Sequence, residues 1–351
     1  EQPIVSLLRD FSAPVRLHSN LLDNDLAFLM SHDSDPFNRW DAGQQLGLNS
    51  LLQEIVSFQK KQEIVVPNFF KNAFGQLLSD TTTDPALIAA AAILPSETWI
   101  GQQMAVIDPE AVSFVRQHFR FQLAQAHCER IFLLYQELTS EEPYCYSSEQ
   151  ASRRALRNCC LSYLLCAKPD FEPPENQFLQ LGREQYQQSD NMTDVFAALT
   201  GVVNANRMAG DELLADFYQQ WQHDPLVVDK WLMLQATCIL PGTLARVKEL
   251  KKHPGFSMKN PNKVRSLIGA FCSNLHQFHA ADGAGYSFLA DCIKELDPKN
   301  PQIAARLLTP LTQWKRYDVN RQGLMKNELQ RIAEFAGLSG DVAEIVYKSL
   351  Q

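Results

Sequence analysis

The chain has 351 residues, 45% hydrophobic and 21% charged, so it can bury a sizeable core and is not a disordered segment. Its net charge is −8, and its 32 lysines and arginines are scattered rather than arranged in the basic stripe that a nucleic-acid-binding surface requires. The longest apolar run, residues 86–94, ends at Pro95 and is far shorter than the roughly 20 residues of a membrane helix. Composition therefore predicts a folded cytoplasmic protein that does not enter the membrane.

The first 20 residues predict an extended lead-in. Residues 4–17 lack helical period, and Ala13 is disfavoured in a helix because Pro14 follows it. The chain opens with Glu1 and shows neither an initiator Met nor a signal peptide. We therefore expect a piece of a longer protein, with residues 1–20 leading in from a preceding domain.

Helix starts are marked by a recurring dipeptide. An Asp or Asn side chain caps the free N–H groups of a first helical turn, and proline suits the next position because its missing N–H is not needed there. This pattern predicts seven helix starts, at residues 35–36, 84–85, 108–109, 224–225, 260–261, 297–298 and 300–301.

Apolar residues three and four apart follow these marks, as in residues 109–126, 192–203 and 225–234. The starts at 191, 224, 260 and 297 are spaced by about one helix pair, as in HEAT and tetratricopeptide arrays, although the tetratricopeptide consensus is absent. Strand signals are poor, since residues 64–66 run into a proline. The predicted fold is all-α: a curved superhelical array of stacked helix pairs, HEAT- or armadillo-like, with residues 21–351 as a single domain.

Metal-ligand patterns are weak. The zinc motif H-E-x-x-H is absent. His276 and His279 could present two imidazoles on one helix face near Asp282, but no third ligand stands at a plausible spacing. A second cluster comprises His118, His127 and Glu129. We predict no metal in this chain.

Nucleophile and phosphate patterns are no stronger. The eight cysteines contain no C-x-x-C, and although Cys159 and Cys166 share a helix face, reduced core thiols are the favoured interpretation. Gly283 and Gly285 could expose N–H groups to a phosphate, but a tight turn between helices is commoner. The basic clusters at 153–157 and 246–253 are interpreted as solvated faces. No catalytic residue is predicted.

Several segments resemble a known family, the C-terminal helical domain of bacterial aminopeptidase N, a zinc alanyl aminopeptidase of the gluzincin type. The resemblance extends along the whole chain, is dense after residue 190 and is weakest between 139 and 190. The segments that carry it are LRDFSAPV at 8–15, NRWD at 38–41, NMTDVFAAL at 191–199, DKWLMLQAT at 229–237, NPNKVRSLIGAF at 260–271, FHAADGAGYSFL at 278–289 and RYD at 316–318.

The resemblance implies that the catalytic groups belong to domains outside this chain. In that family an upstream thermolysin-like domain carries H-E-x-x-H, a distant Glu ligand and the G-A-M-E-N stretch that holds the substrate's free amine, and a β-sandwich follows it. This chain contains neither motif. It would begin at the end of the β-sandwich, hold no cofactor itself and be inactive alone, with zinc in the missing catalytic domain. Its implied partners are those two domains and peptide substrates, with no nucleic acid or membrane.

The resemblance also implies a function for the helical domain, which closes over the catalytic domain, forms the substrate chamber and limits access to peptides. The matching patterns N-P-N-x-x-R and A-R-L-L-x-P-L indicate Asn262, Arg265 and Arg306 as residues of the chamber wall. Arginine offers paired donors to a peptide carboxylate or carbonyl. The alternative is that these arginines cap or bridge neighbouring helices.

Two other functions stay open from the sequence. The chain could be a free-standing helical-repeat scaffold that binds a peptide or protein partner. It could also be an independent all-helical hydrolase that uses His276, His279 or a cysteine.

Overall fold

The computed structural model describes residues 3–9, 12, 15, 17, 19–140, 142–167 and 177–351. Throughout these ranges the regular elements are helical, apart from one isolated bridge between Ile107 and Tyr317. The predicted all-α class is confirmed. Residues 3–7 of the lead-in have no regular structure, whereas Ala13 and Pro14 lie outside the described residues. None of the described helices combines the length and apolarity needed to cross a bilayer.

The chain divides into two compact units. The first contains Glu1–Ile100 and Phe114–Ala205, and the second contains Gly101–Ser113 and Asn206–Gln351. The sequence prediction of a single domain over residues 21–351 stays a prediction.

The first unit is built from ten helices along the described chain, of which α5 and α6 are shared with the second unit. They are α1 (Asp23–His32), α2 (Pro36–Gln59), α3 (Asn68–Ser79), α4 (Pro85–Ala92), α5 (Glu97–Gln103), α6 (Pro109–Ala126), α7 (Cys128–Glu137), α8 (Ser148–Leu164), α9 (Gln177–Gln188) and α10 (Met192–Ala205). Helix α8 packs against α4, α7 and α10, and α2 packs against α1 and α4. Phe74 lies in this core with its ring centroid 5.3 Å from that of Tyr163.

The second unit continues with shorter helices. They are α11 (Arg207–Trp221), α12 (Pro225–Ala236), α13 (Thr243–Leu250), α14 (Pro261–Val264), α15 (Ala270–Cys272), α16 (Leu275–Phe278), α17 (Ala284–Leu296), α18 (Pro301–Leu307), α19 (Thr309–Thr312), α20 (Val319–Ala333) and α21 (Gly340–Leu350). A π-helical turn, Arg265–Gly269, joins α14 to α15, and a 3₁₀ turn, Trp314–Arg316, precedes α20. Phe271 is buried in the core, where its ring meets Phe278 and Phe288 edge to face.

Six of the seven predicted helix starts are confirmed. Asp35, Asp84, Asp224, Asn260 and Asn300 each cap a helix whose first residue is the following proline. Asp108 does the same for α6, where its side chain accepts a hydrogen bond from the N–H of Ala111 at 3.0 Å. The caps therefore act as the dipeptide pattern predicts.

The predicted start at 297–298 is wrong. Asp297 instead ends α17 and is completely buried. Its carboxylate accepts hydrogen bonds from the backbone N–H and the hydroxyl of Ser339, the residue that caps α21. Because the Asp297 side chain bonds to the start of α21, it does not cap the next helix, which begins at the Asn300-Pro301 pair.

Candidate functional site

Asn262 and Arg265 lie on the exposed side of the α14–α15 segment. The opposite side is anchored by Val264, Leu267 and Ile268, which are completely buried. Asn260 starts the segment by accepting hydrogen bonds from the N–H groups of its first turn. The same pattern of apolar and polar residues that buries one face therefore directs these two polar side chains outward.

A buried lysine fixes this segment to α12. Lys263 Nζ donates to the carbonyl oxygen of Pro225 at 2.9 Å and lies 2.9 Å from Asp229 Oδ1. Its side chain is 10% exposed, and that of Asp229 is 16% exposed. A nearly buried pair of opposite charges holds its geometry because separating it would leave a charge without compensation. The Lys263–Asp229 pair thus anchors to α12 the turn from which Arg265 projects.

Arg265 makes one described side-chain bond, and it is local. Its Nη1 donates to Asn262 Oδ1 at 3.2 Å, one helical turn away. The π-helical turn begins at Arg265 itself, and single π turns in α-helices are frequent at functional sites. The described contacts give no bridge from Arg265 to another helix, so its remaining donors point to solvent.

Arg306 is exposed on α18. Its neighbours Ala304, Ala305 and Leu307 are buried and hold the helix in place. In the part of the chain that the structure describes, the Arg306 guanidinium has neither a hydrogen bond nor an ion pair. The described contacts do not join Arg306 to Asn262 or Arg265.

The other described arginines of this unit each bond to a residue outside their own helix. Arg321 bonds to Glu110, to Asp318 and to the carbonyl of His279, whereas Arg246 pairs with Asp211 at 2.6 Å. Arg316 donates to the carbonyl of Met104 at 2.8 Å. Arg265 and Arg306 differ from these arginines because neither has a described side-chain bond outside its own helical segment.

His279 is a buried structural histidine. Nδ1 lies 2.9 Å from the hydroxyl of Tyr286, and Nε2 lies 2.9 Å from that of Tyr317. Burial, with a smaller contribution from the Arg321 charge, lowers the pKa of His279 to about 3. The neutral ring donates one hydrogen bond and accepts the other, so both nitrogens are occupied.

The sequence pairing of His279 with His276 and Asp282 does not become a shared site. His276 is exposed, and Asp282 accepts a hydrogen bond from the N–H of Ala284 at the start of α17. In the other cluster, His127 Nε2 contacts the carbonyl of Lys71, while His118 stacks on Phe114. No group of three or more potential metal ligands occurs among the described residues.

The glycine pair at 283–285 makes a tight turn between α16 and α17. Gly283 has a φ of +69°, a conformation that glycine adopts without strain. A Cβ added to Gly285 would stand 2.2 Å from the carbonyl oxygen of Phe278. The left-handed backbone conformation therefore accounts for Gly283, and the close backbone approach accounts for Gly285.

No disulfide joins the cysteines of the described chain. Burial raises the pKa of Cys159 to about 12 and also raises that of Cys166. A thiol held protonated in this way is a poor nucleophile. Cys159 and Cys166 therefore behave as core residues.

One group of polar residues was missed by the sequence interpretation. Arg153, Arg154 and Arg157 were assigned to a solvated face, but all three are partly buried and line a cavity beside α8. Arg157 lies three residues after Arg154 and four after Arg153, and this spacing on one helix face was the available signal. The cavity itself also needs the segment just before α8 and residues 188–194, which helical spacing does not indicate.

The fold and these residues define an all-α helical array that carries exposed, unneutralised arginines. A family model described as "Domain of unknown function (DUF3458_C) ARM repeats" matches residues 23–351. The chain belongs to this family. The match agrees with the predicted armadillo-like helical array.

Known relatives are similar along the whole chain. The chain is 37% identical over 350 residues to aminopeptidase N of Escherichia coli (strain K12), covering 99% of this chain and 39% of that protein. It is 36% identical over 351 residues to aminopeptidase N of Haemophilus influenzae, covering 100% of this chain and 39% of the relative. The resemblance to aminopeptidase N is thus confirmed, and the chain spans about two fifths of the length of these relatives.

A solved structure gives the same result. The fold matches that in the crystal structure of Legionella pneumophila aminopeptidase A in complex with aspartic acid with a TM-score of 0.86 and 32% sequence identity. The match covers 100% of this chain and 41% of that chain.

Proposed function

We propose that this chain is the C-terminal helical domain of a zinc-dependent aminopeptidase of the aminopeptidase N type. In this proposal it caps the catalytic domain, forms the wall of the substrate chamber and limits access to peptides. It is not catalytic by itself. The observation that carries the proposal is the similarity to aminopeptidases along the whole chain, at about two fifths of their length.

The catalytic machinery then belongs to the rest of the protein. Zinc and the groups that hold the substrate's free amine are assigned to a catalytic domain, and a β-sandwich domain connects to residues 1–20 of this chain. These domains and peptide substrates are the proposed partners. A cytoplasmic location belongs to the same proposal.

Asn262, Arg265 and Arg306 are proposed as residues of the chamber wall. Both guanidinium groups are exposed and lack a described carboxylate partner, so they can donate to a peptide carbonyl or carboxylate without breaking an existing ion pair. Asn262 accepts a hydrogen bond from Arg265 at 3.2 Å and thereby restricts its orientation. This local support favours a positioned cation over a freely mobile surface one.

The test is a kinetic comparison in the intact protein. Arg265→Ala is expected to raise KM for tri- to pentapeptides about tenfold, the effect of losing one charge-assisted hydrogen bond. It should leave kcat and the KM for alanyl-p-nitroanilide nearly unchanged, because that substrate has no peptide chain to reach the arginine. Arg306→Ala is expected to show the same split.

Lys252→Gln is the matched control, because Lys252 is exposed and has no described ion pair. Equal losses on the anilide and on peptides would indicate a stability effect and contradict the chamber-wall assignment. Unchanged kinetics for both arginine variants would also contradict it.

A further inference from the structure

A cavity of about 530 Å³ lies in the first unit, at the N-terminal end of α8. Its volume is within the range of small-molecule sites. Arg153, Arg154 and Arg157 line it from α8. Tyr144 and Asp190 line the same cavity from two loops.

Two of the arginines already have acidic neighbours. Arg153 lies 3.6 Å from a carboxylate oxygen of Glu142 and 3.6 Å from one of Glu149. Arg157 lies 3.6 Å from Asp194 Oδ2, and its Nη2 donates to the hydroxyl of Tyr135 at 3.2 Å. The Nε of Arg157 is buried without a hydrogen-bond partner among the described residues.

Arg154 is the arginine of the cavity that forms no described ion pair. Its guanidinium stacks 4.9 Å over the ring of Tyr144, and Nη1 donates to Gln150 Oε1 at 3.1 Å. Within the described ranges no carboxylate oxygen lies within 4 Å of it. A stacked guanidinium with one neutral partner retains donors for a bound anion.

Asp190 is an exposed carboxylate of the cavity lining. Its Oδ2 accepts a hydrogen bond from the backbone N–H of Tyr144 at 2.7 Å. This bond, with smaller contributions from Asn191 and from the charge of Arg154, holds the pKa of Asp190 below its ordinary value, so the group is anionic at neutral pH. Its described hydrogen-bond partners are neutral groups. Tyr144 therefore contacts both charged groups: its ring stacks against the Arg154 guanidinium, and its backbone N–H donates to Asp190.

We propose that this cavity binds a free α-amino acid as its zwitterion, with the carboxylate at Arg154 and the ammonium at Asp190. The two opposite charges on the lining match the two of the ligand, whereas a molecule with only one charge can pair with only one of them. The inference goes beyond the proposed function and concerns this chain alone.

Calorimetric titration of the 351-residue chain tests the site with three probes of similar size. L-Alanine carries both charges, propionate lacks the ammonium, and alaninamide lacks the carboxylate. The expected result is saturable alanine binding, about tenfold tighter than alaninamide binding and roughly two- to fivefold tighter than propionate binding, because Asp190 is exposed. Propionate binding as tight as alanine binding would overturn the zwitterion assignment, as would the absence of saturable alanine binding.

Two substitutions locate the site. Arg154→Gln is expected to weaken alanine binding about tenfold, and Asp190→Asn roughly two- to fivefold because that carboxylate is exposed. Asn at 190 retains an oxygen acceptor for the Tyr144 N–H, so the loop keeps its hydrogen bond. Lys252→Gln and Glu344→Gln, charge-removing changes at exposed residues outside the cavity, are the controls.

The outcome is independent of peptidase activity. Unchanged alanine binding in both cavity variants would overturn the site. Thermal melts of each variant verify folding, and Arg154→Lys provides a second variant that keeps the charge but not the planar donors. Because the assay needs no catalytic domain, a failure here is distinguishable from a failure of the peptide kinetics with Arg265→Ala and Arg306→Ala.

Discussion

His279 illustrates how a titratable residue can serve the fold. Its ring is held between the hydroxyls of Tyr286 and Tyr317, and the Arg321 side chain bonds to its carbonyl. Burial holds its pKa at about 3. An unfolded histidine has a pKa of about 6.5. The unfolded chain therefore binds a proton below pH 6.5 that the folded chain excludes.

This difference makes stability depend on pH. The His279 contribution is constant above pH 6.5 and is lost as pH falls from about 6.5 towards 3, because only the unfolded state takes up the proton. Between pH 7 and pH 5 the loss is about 2 kcal/mol of unfolding free energy. Urea denaturation at both pH values measures it.

His279→Gln is the comparison variant, since Gln can also donate and accept but does not titrate. The variant is expected to be less stable at pH 7 and to lose about 2 kcal/mol less than the native chain on acidification. The same pH dependence in both chains would show that another group carries the effect.

Sequence reasoning identified His279 as notable but could not assign its partners. Tyr317 lies 38 residues away, so no local spacing announces the contact. Arg154 stacks on Tyr144, which is near in sequence but lies on a loop whose path helical spacing does not predict. In contrast, Asn262 and Arg265 fall on one exposed face, as helical spacing implies.

At the scale of elements, helix caps were the most predictable feature. The side chain of a cap residue bonds to an N–H two or three positions ahead, so the signal is contained in four residues. Asp297 does not cap a helix in this way, because its carboxylate accepts a hydrogen bond from Ser339, 42 residues away. The π-helical turn at Arg265–Gly269 has no comparable local signature, and it was not predicted.

The turn between α16 and α17 gives a prediction at this scale. Gly285→Ala places a methyl group 2.2 Å from the backbone oxygen of Phe278, which cannot move like a flexible side chain. The expected loss of unfolding free energy is about 3 kcal/mol or more. Denaturant unfolding measures it.

Gly323→Ala is the matched control. Gly323 lies in α20, is exposed and has no atom within 4 Å of an added Cβ. Alanine favours helix by about 1 kcal/mol over glycine, so this variant should be more stable than the native chain. A Gly285→Ala chain as stable as the native one would contradict the close approach described here.

At the scale of the molecule, the all-α class followed from local signals that recur along the chain. Boundaries between compact units depend on contacts among distant residues, and the sequence offered no linker to mark one. The structure divides the described chain into two units, whereas the sequence predicts one domain over residues 21–351.

Scanning calorimetry addresses the domain prediction. A single domain should unfold in one transition whose calorimetric enthalpy equals its van't Hoff enthalpy. Two transitions, or a calorimetric enthalpy well above the van't Hoff value, would instead indicate that the two units unfold separately.

The central claim is that this chain completes an aminopeptidase whose catalytic groups lie elsewhere. The most direct test measures alanyl-p-nitroanilide and pentapeptide hydrolysis by the catalytic portion alone, by this chain alone, by the two mixed and by the intact protein. The account predicts no hydrolysis by this chain and an increase, largest for the pentapeptide, in the intact protein relative to the catalytic portion. A catalytic portion already as active and as selective as the intact protein on both substrates would contradict the claim.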